Sequence, residues 1–247
     1  MAAEHPIRMI DGAPPEVVVH DEPGPCSYLP DRSWRLPLRL PLRSLRRSEL
    51  ERRLVIGDRR QGRLLYRPNC PDCHACEPIR LDVEQLRLGR TQQRVWSRGQ
   101  RVFDVEIGAV SVDAERLALY HRHKRERGLE VGEAALSEET YRLVFGESCC
   151  ETFELRYRVA DRLVAIAITD RGSRSLSAVY TFFDPSRGKL SPGVFSILTQ
   201  VELCRRLSLR YLYLGLYIAD CPAMAYKARY LPHQRLVDDR WQTFDRR

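Results

Sequence analysis

Three cysteines, Cys70, Cys73 and Cys76, form two overlapping C-x-x-C steps in a short segment that also contains proline. Thiolates brought together on a tight turn are the ligands that zinc and iron–sulfur clusters take from proteins. A fourth ligand is missing from the segment. Cys26 is the first choice to supply it, because it lies in a similar rigid loop, and His74 is the substitute. The pattern predicts a metal site. Reduced, empty thiols are the alternative, because the two separate pairs of a zinc ribbon are lacking.

The sequence lacks the common motifs for nucleotide binding and for nucleophilic catalysis by a serine triad. It contains no G-x-x-x-x-G-K-[ST] loop, no G-x-G-x-x-G after an expected strand and no Ser-His-Asp order. Chemistry driven by ATP or by a nicotinamide is therefore not expected. Cys149, Cys150 and Cys204 are expected to be core or surface thiols, because a free cysteine behaves as a small apolar side chain.

The composition points to an anionic partner. The 247 residues are 43% hydrophobic and 30% charged, with a formal net charge of +8, which suits one large domain or two small ones. Of the 41 Lys and Arg residues, only Lys124, Lys189 and Lys227 are lysines. Arginine offers a planar fork of donors that fits phosphate and carboxylate. No apolar stretch is long enough for a membrane span and the first thirty residues carry several acids, so we expect a cytoplasmic location, where thiols stay reduced, and no membrane partner.

Hydrophobic periodicity and turn residues predict the elements that must position these groups. In the N-terminal part we expect strands at 17–19, 63–67 and 79–83 and helices at 44–56 and 90–98. In the C-terminal part we expect a strand at 101–107, helices at 113–127 and 137–145, strands at 152–160, 163–170 and 176–183, a loop at 184–193, a helix at 194–207 and a strand at 210–214. The basic residues at 32–63 and 121–125 are expected on solvated faces, with phosphate binding as the alternative.

A polar helix between two glycine-containing turns marks a boundary, which divides the chain into domains 1–95 and 96–247. In the second domain, two helices, three antiparallel strands, a loop that leads into a helix and a further strand follow one another. This order resembles the acyltransferase fold of the N-acetyltransferase (GNAT) type, whose splayed sheet admits an acyl donor. The expected fold class is therefore α+β, a GNAT-type domain preceded by a smaller cysteine-bearing domain.

Five blocks of sequence resemble the bacterial aminoacyl-tRNA–protein transferases. They are 26–30 (CSYLP), 66–80 (YRPNCPDCHACEPIR), 176–185 (LSAVYTFFDP), 211–215 (YLYLG) and 224–230 (MAYKARY). They stand in the family's order over nearly the whole chain. The resemblance is strongest to the aspartate/glutamate leucyltransferases, which move leucine from its tRNA to proteins that begin with Asp or Glu and so mark them for degradation in the N-degron pathway. It implies aminoacyl-tRNA and such proteins as partners, with no cofactor required for the transfer. Pro192, and the missing aromatic pair after Gly215, depart from the family pattern near the donor site.

The resemblance also suggests roles for individual residues. Tyr180 and Asp184 are candidates for moving the proton of the acceptor amine, and Lys227 is the preferred catalytic or anion-binding cation. The terminal adenine of tRNA could stack on Tyr28 or Tyr217, and an acidic acceptor could bind Arg80 or Arg229. The other expected substrate-binding residues are Ser177, Phe183, Gly193 and Tyr226. The arginines of 32–63 and 90–98 could follow the tRNA phosphates.

Three other functions compete with leucine transfer. An arginyltransferase would need a carboxylate in its donor pocket, and none in the matching blocks stands out except Asp184 and Asp220. An acetyl-CoA-dependent N-acetyltransferase would need the pattern [QR]-x-x-G-x-[GA], which residues 187–193 do not fit. A zinc-containing nucleic-acid-binding module would use the cysteines and arginines but would leave the C-terminal half without a task.

Overall fold

The computed structural model describes residues 8–129 and 135–246. Its strands there are β1 (Arg8–Ile10), β2 (Glu16–His20), β3 (Pro23–Pro25), β4 (Ser33–Arg35), β5 (Leu38–Pro41), β6 (Arg59–Gln61), β7 (Leu64–Tyr66), β8 (Glu77–Asp82), β9 (Asp104–Gly108), β10 (Thr152–Val159), β11 (Arg162–Arg171), β12 (Ser175–Phe183), β13 (Tyr211–Tyr217), β14 (His233–Val237) and β15 (Arg240–Phe244). Its α-helices are α1 (Arg47–Val55), α2 (Arg90–Val102), α3 (Ala114–Glu126), α4 (Glu138–Tyr141), α5 (Pro192–Arg206) and α6 (Pro222–Ala225). A π-helical turn (Arg142–Gly146) follows α4, and 3₁₀ helices cover Pro185–Leu190 and Tyr226–Arg229. The described residues thus form a mixed α/β fold.

An eight-stranded sheet in the order β15-β14-β8-β13-β12-β11-β10-β9 forms the centre of the molecule. Strand β8 comes from the N-terminal part of the chain, yet it pairs with β13 on one side and β14 on the other. The expected boundary at residue 95 falls inside helix α2, so the division into two domains stays a prediction. A second sheet, β1-β2-β5-β7-β6, is built wholly from residues before 67.

The parallel strands β12 and β13 separate after a short paired stretch. Their register joins Ser175 to Tyr211, Leu176 to Leu212 and Ser177 to Tyr213. Beyond this point β12 pairs only with β11 among the described strands, while β13 shifts register against β8 between Tyr213 and Leu216. A gap therefore opens at the C-terminal ends of β12 and β13.

Helix α5 packs on this sheet through the apolar stripe that the sequence predicts at i, i+3, i+4 and i+7. Ile197, Leu198, Val201 and Cys204 are all buried. Burying an apolar side chain of this size contributes about 1.5–3 kcal/mol. Helix α2 crosses α5 at Gly99, where an added Cβ would lie 2.1 Å from the Phe195 ring, so only glycine permits this approach. Among the described helices, none combines the length and the hydrophobicity of a transmembrane span.

Most of the expected elements are confirmed, with differences at their ends. Helix α2 continues to Val102, so the strand expected from residue 101 begins at Asp104. The expected loop at 184–193 holds a 3₁₀ helix, and the strand expected at 210–214 extends to Tyr217. The terminal hairpin β14–β15 was not predicted, because its strands mix charged and apolar residues without clear alternation.

The prediction of solvated faces for the basic segments is wrong at several positions. Arg39, Arg59 and Arg60 in the first segment are buried, as is His123 in the second. The His123 Nδ1 atom lies 3.0 Å from the Phe183 carbonyl oxygen, and burial lowers the pKa of His123 to about 4. Charge pattern alone could not show this, because burial of a cation depends on partners from distant strands.

Candidate active site

Lys227 is a buried cation next to the gap between β12 and β13. Its 3₁₀ helix follows α6, and its side chain is only 7% exposed. Nζ donates to the Leu216 carbonyl oxygen at 2.6 Å and to the Met224 sulfur at 3.1 Å. Burial lowers the pKa of Lys227 to about 7, and the charge of Arg59 adds to this effect. A lysine in this state exists near neutral pH partly as the free amine, which can accept a proton.

Arg59 approaches the same place from the other sheet. It lies on β6 and is 6% exposed, yet its Nη1 and Nη2 atoms have no hydrogen-bond partner among the described residues. Asp170 is near enough to act on the pKa of Arg59, but that carboxylate already accepts bonds from Arg60 and Thr152. A buried guanidinium without a counter-ion is costly, so Arg59 is a candidate for binding a charged ligand.

Gly215 permits the two cations to converge. Its φ of +87° lies in the region that favours glycine, and it sits where β13 shifts register. A Cβ at this position would lie 3.2 Å from the Arg59 Nη2 atom and 3.6 Å from the Lys227 Nζ atom. Both nitrogens therefore face the same stretch of bare backbone.

The cysteine-bearing loop lies beside these cations. Burial raises the pKa of Cys76 to about 12, and Cys70, Cys26, Cys73 and Cys221 raise it further by their proximity. Tyr28 is 39% exposed, and its pKa is raised to about 12 by burial of its hydroxyl and by Tyr66, Cys76, Cys221 and Cys26. Tyr66 in turn is a neighbour of Arg59 on the adjacent strand. Tyr28 therefore lies between the surface and the thiols, and Tyr66 lies between the thiols and Arg59.

The described residues include no group of three His, Cys, Asp or Glu side chains placed to hold a metal ion. The four predicted ligands, Cys26, Cys70, Cys73 and Cys76, are neighbours, but they do not converge at ligand distances. Backbone N–H groups donate to two of these sulfurs, Leu29 to Cys26 at 3.5 Å and Arg35 to Cys70 at 3.4 Å. Zinc or iron–sulfur binding stays a prediction, and no chemical step depends on it.

The two other residues expected to move a proton have structural contacts. Asp184 is 1% exposed and caps the 3₁₀ helix, accepting from Ser186 N and Oγ at 3.0 and 2.6 Å and from Arg122 at 3.0 Å. Burial alone would raise the pKa of Asp184, but these bonds outweigh it and lower the pKa. Tyr180 packs among Tyr120, Phe145 and Phe182. Neither arrangement is typical of a general base, which needs a free acceptor site.

Phe183 and Tyr226 lie near one cation, Arg127, and Gly193 lies beside Phe183. The Arg127 guanidinium lies 5.4 Å from the Phe183 ring centre, and Phe183 is 3.4 Å from the point where Gly193 would carry a Cβ. Burial raises the pKa of Tyr226, while Arg127 is close enough to oppose that rise. The Lys227 Nζ atom lies 5.9 Å from the Tyr226 ring centre, so this group adjoins Lys227.

The remaining predicted residues lie elsewhere. Arg80 is stacked between the rings of Tyr211 and Trp241, at 3.9 and 4.0 Å, and also donates to Gln234 and to the Tyr213 hydroxyl. The structure therefore places Arg80 in the packed interior. The Arg235 guanidinium lies 4.6 Å from the centre of the Tyr217 ring, Ser177 is buried in β12, and Arg229 is exposed.

A basic groove of about 600 Å³ runs along helix α2. Its lining includes Arg90, Arg94, Arg98 and Arg101, together with Ser191 at the start of α5. The first three arginines recur every four residues, so they share one face of the helix. The groove fits the predicted role of residues 90–98 in following phosphates.

Sequence reasoning missed Arg59 as a site residue. The available signal was its position between Gly57 and Gly62, both of which have positive φ. Turns on both sides favour a short hairpin strand over a solvated helix, and on such a strand neighbouring arginines face opposite sides. The sequence alone could not show that one side would lie against β13.

Two family models match the chain. "Arginine-tRNA-protein transferase, N terminus" matches residues 24–94, and "Arginine-tRNA-protein transferase, C terminus" matches residues 115–237. The class is that of enzymes that use an aminoacyl-tRNA to modify a protein. The chain belongs to this tRNA–protein transferase family.

Curated relatives narrow the resemblance within the family. Proteins named aspartate/glutamate leucyltransferase are 39% identical in Chromobacterium violaceum, covering 90% of this chain and 91% of the relative, and 36% identical in Hahella chejuensis, covering 89% and 93%. The protein of the same name from Aeromonas hydrophila is 38% identical, covering 89% and 92%. Among solved structures, the match to L-PGS from Bacillus licheniformis covers 58% of this chain and 46% of that protein, at 11% identity and a TM-score of 0.45.

Proposed function

We propose that this enzyme transfers leucine from Leu-tRNA to the α-amino group of proteins that begin with Asp or Glu. The observation that carries the proposal is the match to aspartate/glutamate leucyltransferases at 39% identity over 90% of the chain. The convergence of Lys227 and Arg59 at Gly215 supports it, because an acidic acceptor needs cationic groups beside the reacting amine.

The reaction itself needs little chemical assistance. The acceptor nitrogen attacks the carbonyl carbon of the aminoacyl ester, an amide bond forms, and the ester bond to the tRNA ribose breaks. The ester is already activated, so catalysis reduces to orienting two substrates and moving one proton. Orientation can contribute about 7 kcal/mol or more to the lowering of the barrier. The acceptor amine, whose reference pKa is about 7.7–8.0, must give up a proton, and the ribose oxygen must gain one.

Lys227 is the residue that we propose for the proton transfer. Its pKa of about 7 is close to that of the acceptor amine, so the proton can pass between the two nitrogens without a large barrier. Its bond to the Leu216 carbonyl holds Nζ beside Gly215. The protonated Lys227 can then return the proton toward the leaving ribose oxygen. Tyr180 and Asp184 would act by stabilising β12 and the 3₁₀ helix that follows it.

The donor tRNA would approach across helix α2. The four arginines of the groove suit a phosphate backbone, and Ser191 connects the groove to the beginning of α5. The separation of β12 and β13 supports a fold of the GNAT type, in which the aminoacyl end would enter between the two strands. The exposed ring of Tyr28 supports stacking of the terminal adenine. We also propose a cytoplasmic location, where aminoacyl-tRNA is made.

The test supplies the purified protein with separately charged, radiolabelled Leu-tRNA and Arg-tRNA and with peptides that begin with Asp, Glu or Ala. We expect leucine on the Asp and Glu peptides only. In the Lys227→Met variant the rate of transfer should fall about 100-fold or more, whereas Leu-tRNA binding should persist. Arg240→Met, a change at an exposed arginine of β15, is the matched control.

Transfer of arginine in place of leucine would assign the protein to the arginyltransferases. Acylation of a free amine from acetyl-CoA, with no transfer from either tRNA, would contradict the whole proposal. Full activity of Lys227→Met would contradict the role of that lysine alone.

A further inference from the structure

We propose that Arg59 binds the side-chain carboxylate of the acceptor's N-terminal Asp or Glu, and so selects acidic N-termini. This inference rests on the proposed transfer reaction and adds a specificity-determining residue to it. It begins from the guanidinium of Arg59, whose two terminal nitrogens are buried without a hydrogen-bond partner among the described residues.

Arg59 differs from the residues on either side of it, both of which have charged partners. Arg60, the next residue, donates to both oxygens of Asp170, at 2.8 and 2.9 Å. Asp58, the preceding residue, pairs with Arg39 at 2.7 Å. In the described part of this hairpin the neighbouring charges are therefore matched, while Arg59 is left facing Gly215. Because buried charges in proteins are normally paired, we expect a ligand to supply the counter-ion that the described residues lack.

The burial of the site favours a carboxylate on a small side chain. Arg59 is 6% exposed and Lys227 is 7% exposed, so a ligand would have to enter a confined space to bind them. An arginine fork with two free nitrogens matches the two oxygens of a carboxylate. A tRNA phosphate would have to bring its bulky ribose neighbours into the same confined space, whereas the open arginine groove on α2 already suits a nucleic-acid backbone.

The positions of Arg59 and Lys227 also suit the carboxylate and the amine of one N-terminal residue. In an N-terminal Asp or Glu the carboxylate is joined through a short methylene chain to the same carbon that carries the amine. Arg59 Nη2 and Lys227 Nζ face the same Gly215 backbone, at 3.2 and 3.6 Å from the point where a Cβ would lie. A carboxylate held by Arg59 would therefore leave the amine beside Lys227. Asn and Gln have the same shape but lack the charge, so the site would discriminate against them.

The experiment compares peptides that begin with Asp and Asn, with wild-type protein, Arg59→Met, Arg59→Lys and the exposed control Arg240→Met. Initial rates are measured with saturating Leu-tRNA, and Leu-tRNA affinity is measured by filter binding. For Arg59→Met we expect kcat/KM on the Asp peptide to fall about thirty-fold or more, because a buried charge pair is lost. The affinity for Leu-tRNA should not change, and the low rate on the Asn peptide should fall much less than the rate on the Asp peptide, because on that peptide Arg59 acts only through the pKa of Lys227. Arg59→Lys should restore part of the Asp preference, because it keeps the charge but not the fork.

Several outcomes would overturn the inference. One is an equal fall on the Asp and Asn peptides, which would mean a structural role. Another is weaker Leu-tRNA binding with an unchanged Asp preference, which would assign Arg59 to a phosphate. If Arg59→Met does not fold, an unchanged Asp preference in Arg59→Lys would count against the inference in the same way.

Binding of the peptides without tRNA separates this inference from the proposed function. Wild-type protein should bind the Asp peptide more tightly than the Asn peptide, and Arg59→Met should lose that difference. If no amino acid is ever transferred but this preference is present, the transfer reaction is wrong and the carboxylate site is right. If leucine is transferred but the preference does not depend on Arg59, the transfer reaction is right and the carboxylate site is wrong.

Discussion

Arg59 and Arg60 are adjacent on β6, both are buried, and they have opposite surroundings. Arg60 forms a bidentate pair with Asp170 and donates a third bond to the Gly62 carbonyl. Arg59, on the other side of the strand, faces the backbone of Gly215 and has no such pair in the described part of the chain. Strand geometry explains the contrast, because consecutive side chains point to opposite faces.

The contrast distinguishes a cation that holds the fold together from one that is available to a ligand. Arg60 joins the five-stranded sheet to β11 of the eight-stranded sheet through Asp170. Arg59 contributes no comparable pair, so its desolvation works against folding. A cost of this kind is typical of functional sites, where a charge is kept ready for its substrate.

Loss of Arg60 should have the largest effect on stability. Arg60→Met would leave the Asp170 carboxylate buried without its main counter-ion, and we expect the free energy of unfolding to fall by about 3–5 kcal/mol. Arg59→Met is the matched control. Since it removes an unpaired charge, it should leave the free energy of unfolding unchanged or raise it. Urea denaturation monitored by tryptophan fluorescence measures both, and equal losses in the two variants would contradict the distinction between them.

Lys227 should make the stability of the folded protein depend on pH. Its pKa is about 7 in the folded protein against 10.5 for a free lysine, so the unfolded chain binds more protons between these two values. Stability should therefore rise with pH above about 7 and be lowest below it. From pH 6 to pH 9 the wild type should gain about 3 kcal/mol relative to Lys227→Met.

Urea denaturation at the two pH values checks this, with Lys189→Met, a change at an exposed lysine, as the control. The wild type should show no such gain relative to this control variant. A difference between wild type and Lys227→Met that is the same at pH 6 and pH 9 would show that the folded protein does not depress the pKa of Lys227.

Gly215 is the point at which Arg59 and Lys227 converge, and its replacement should have the smallest effect of the three on stability. Gly215→Ala would place a Cβ at a φ of +87° and 3.2 Å from Arg59 Nη2, so we expect a loss of about 1–3 kcal/mol. Gly188→Ala is the control, because nothing lies within 4 Å of its added Cβ. Thermal unfolding of both variants provides the measurement. Equal melting temperatures would mean that the backbone at Gly215 relaxes freely.

Much of the fold was predictable because local patterns dominate it. The stripe on α5 follows from helical periodicity, and the strands expected at 152–160, 163–170 and 176–183 correspond to β10, β11 and β12. The family resemblance and its blocks are also properties of the sequence, and the family models confirm them. Lys227 was selected from one of those blocks, and the structure places it beside the gap of the sheet.

The parts that could not be predicted depend on contacts between distant segments. The sequence by itself determined the element order, the basic character and the family. It did not show that β8 would enter the large sheet, that Arg80 would be stacked between Tyr211 and Trp241, or that Arg59 would meet Lys227 across Gly215. The first two features arise from the pairing of distant strands within the eight-stranded sheet, and the third arises where the two sheets pack together. Whether a buried charge finds a partner is decided by that packing, because the energy of a charge depends on what surrounds it in space and not on its neighbours along the chain.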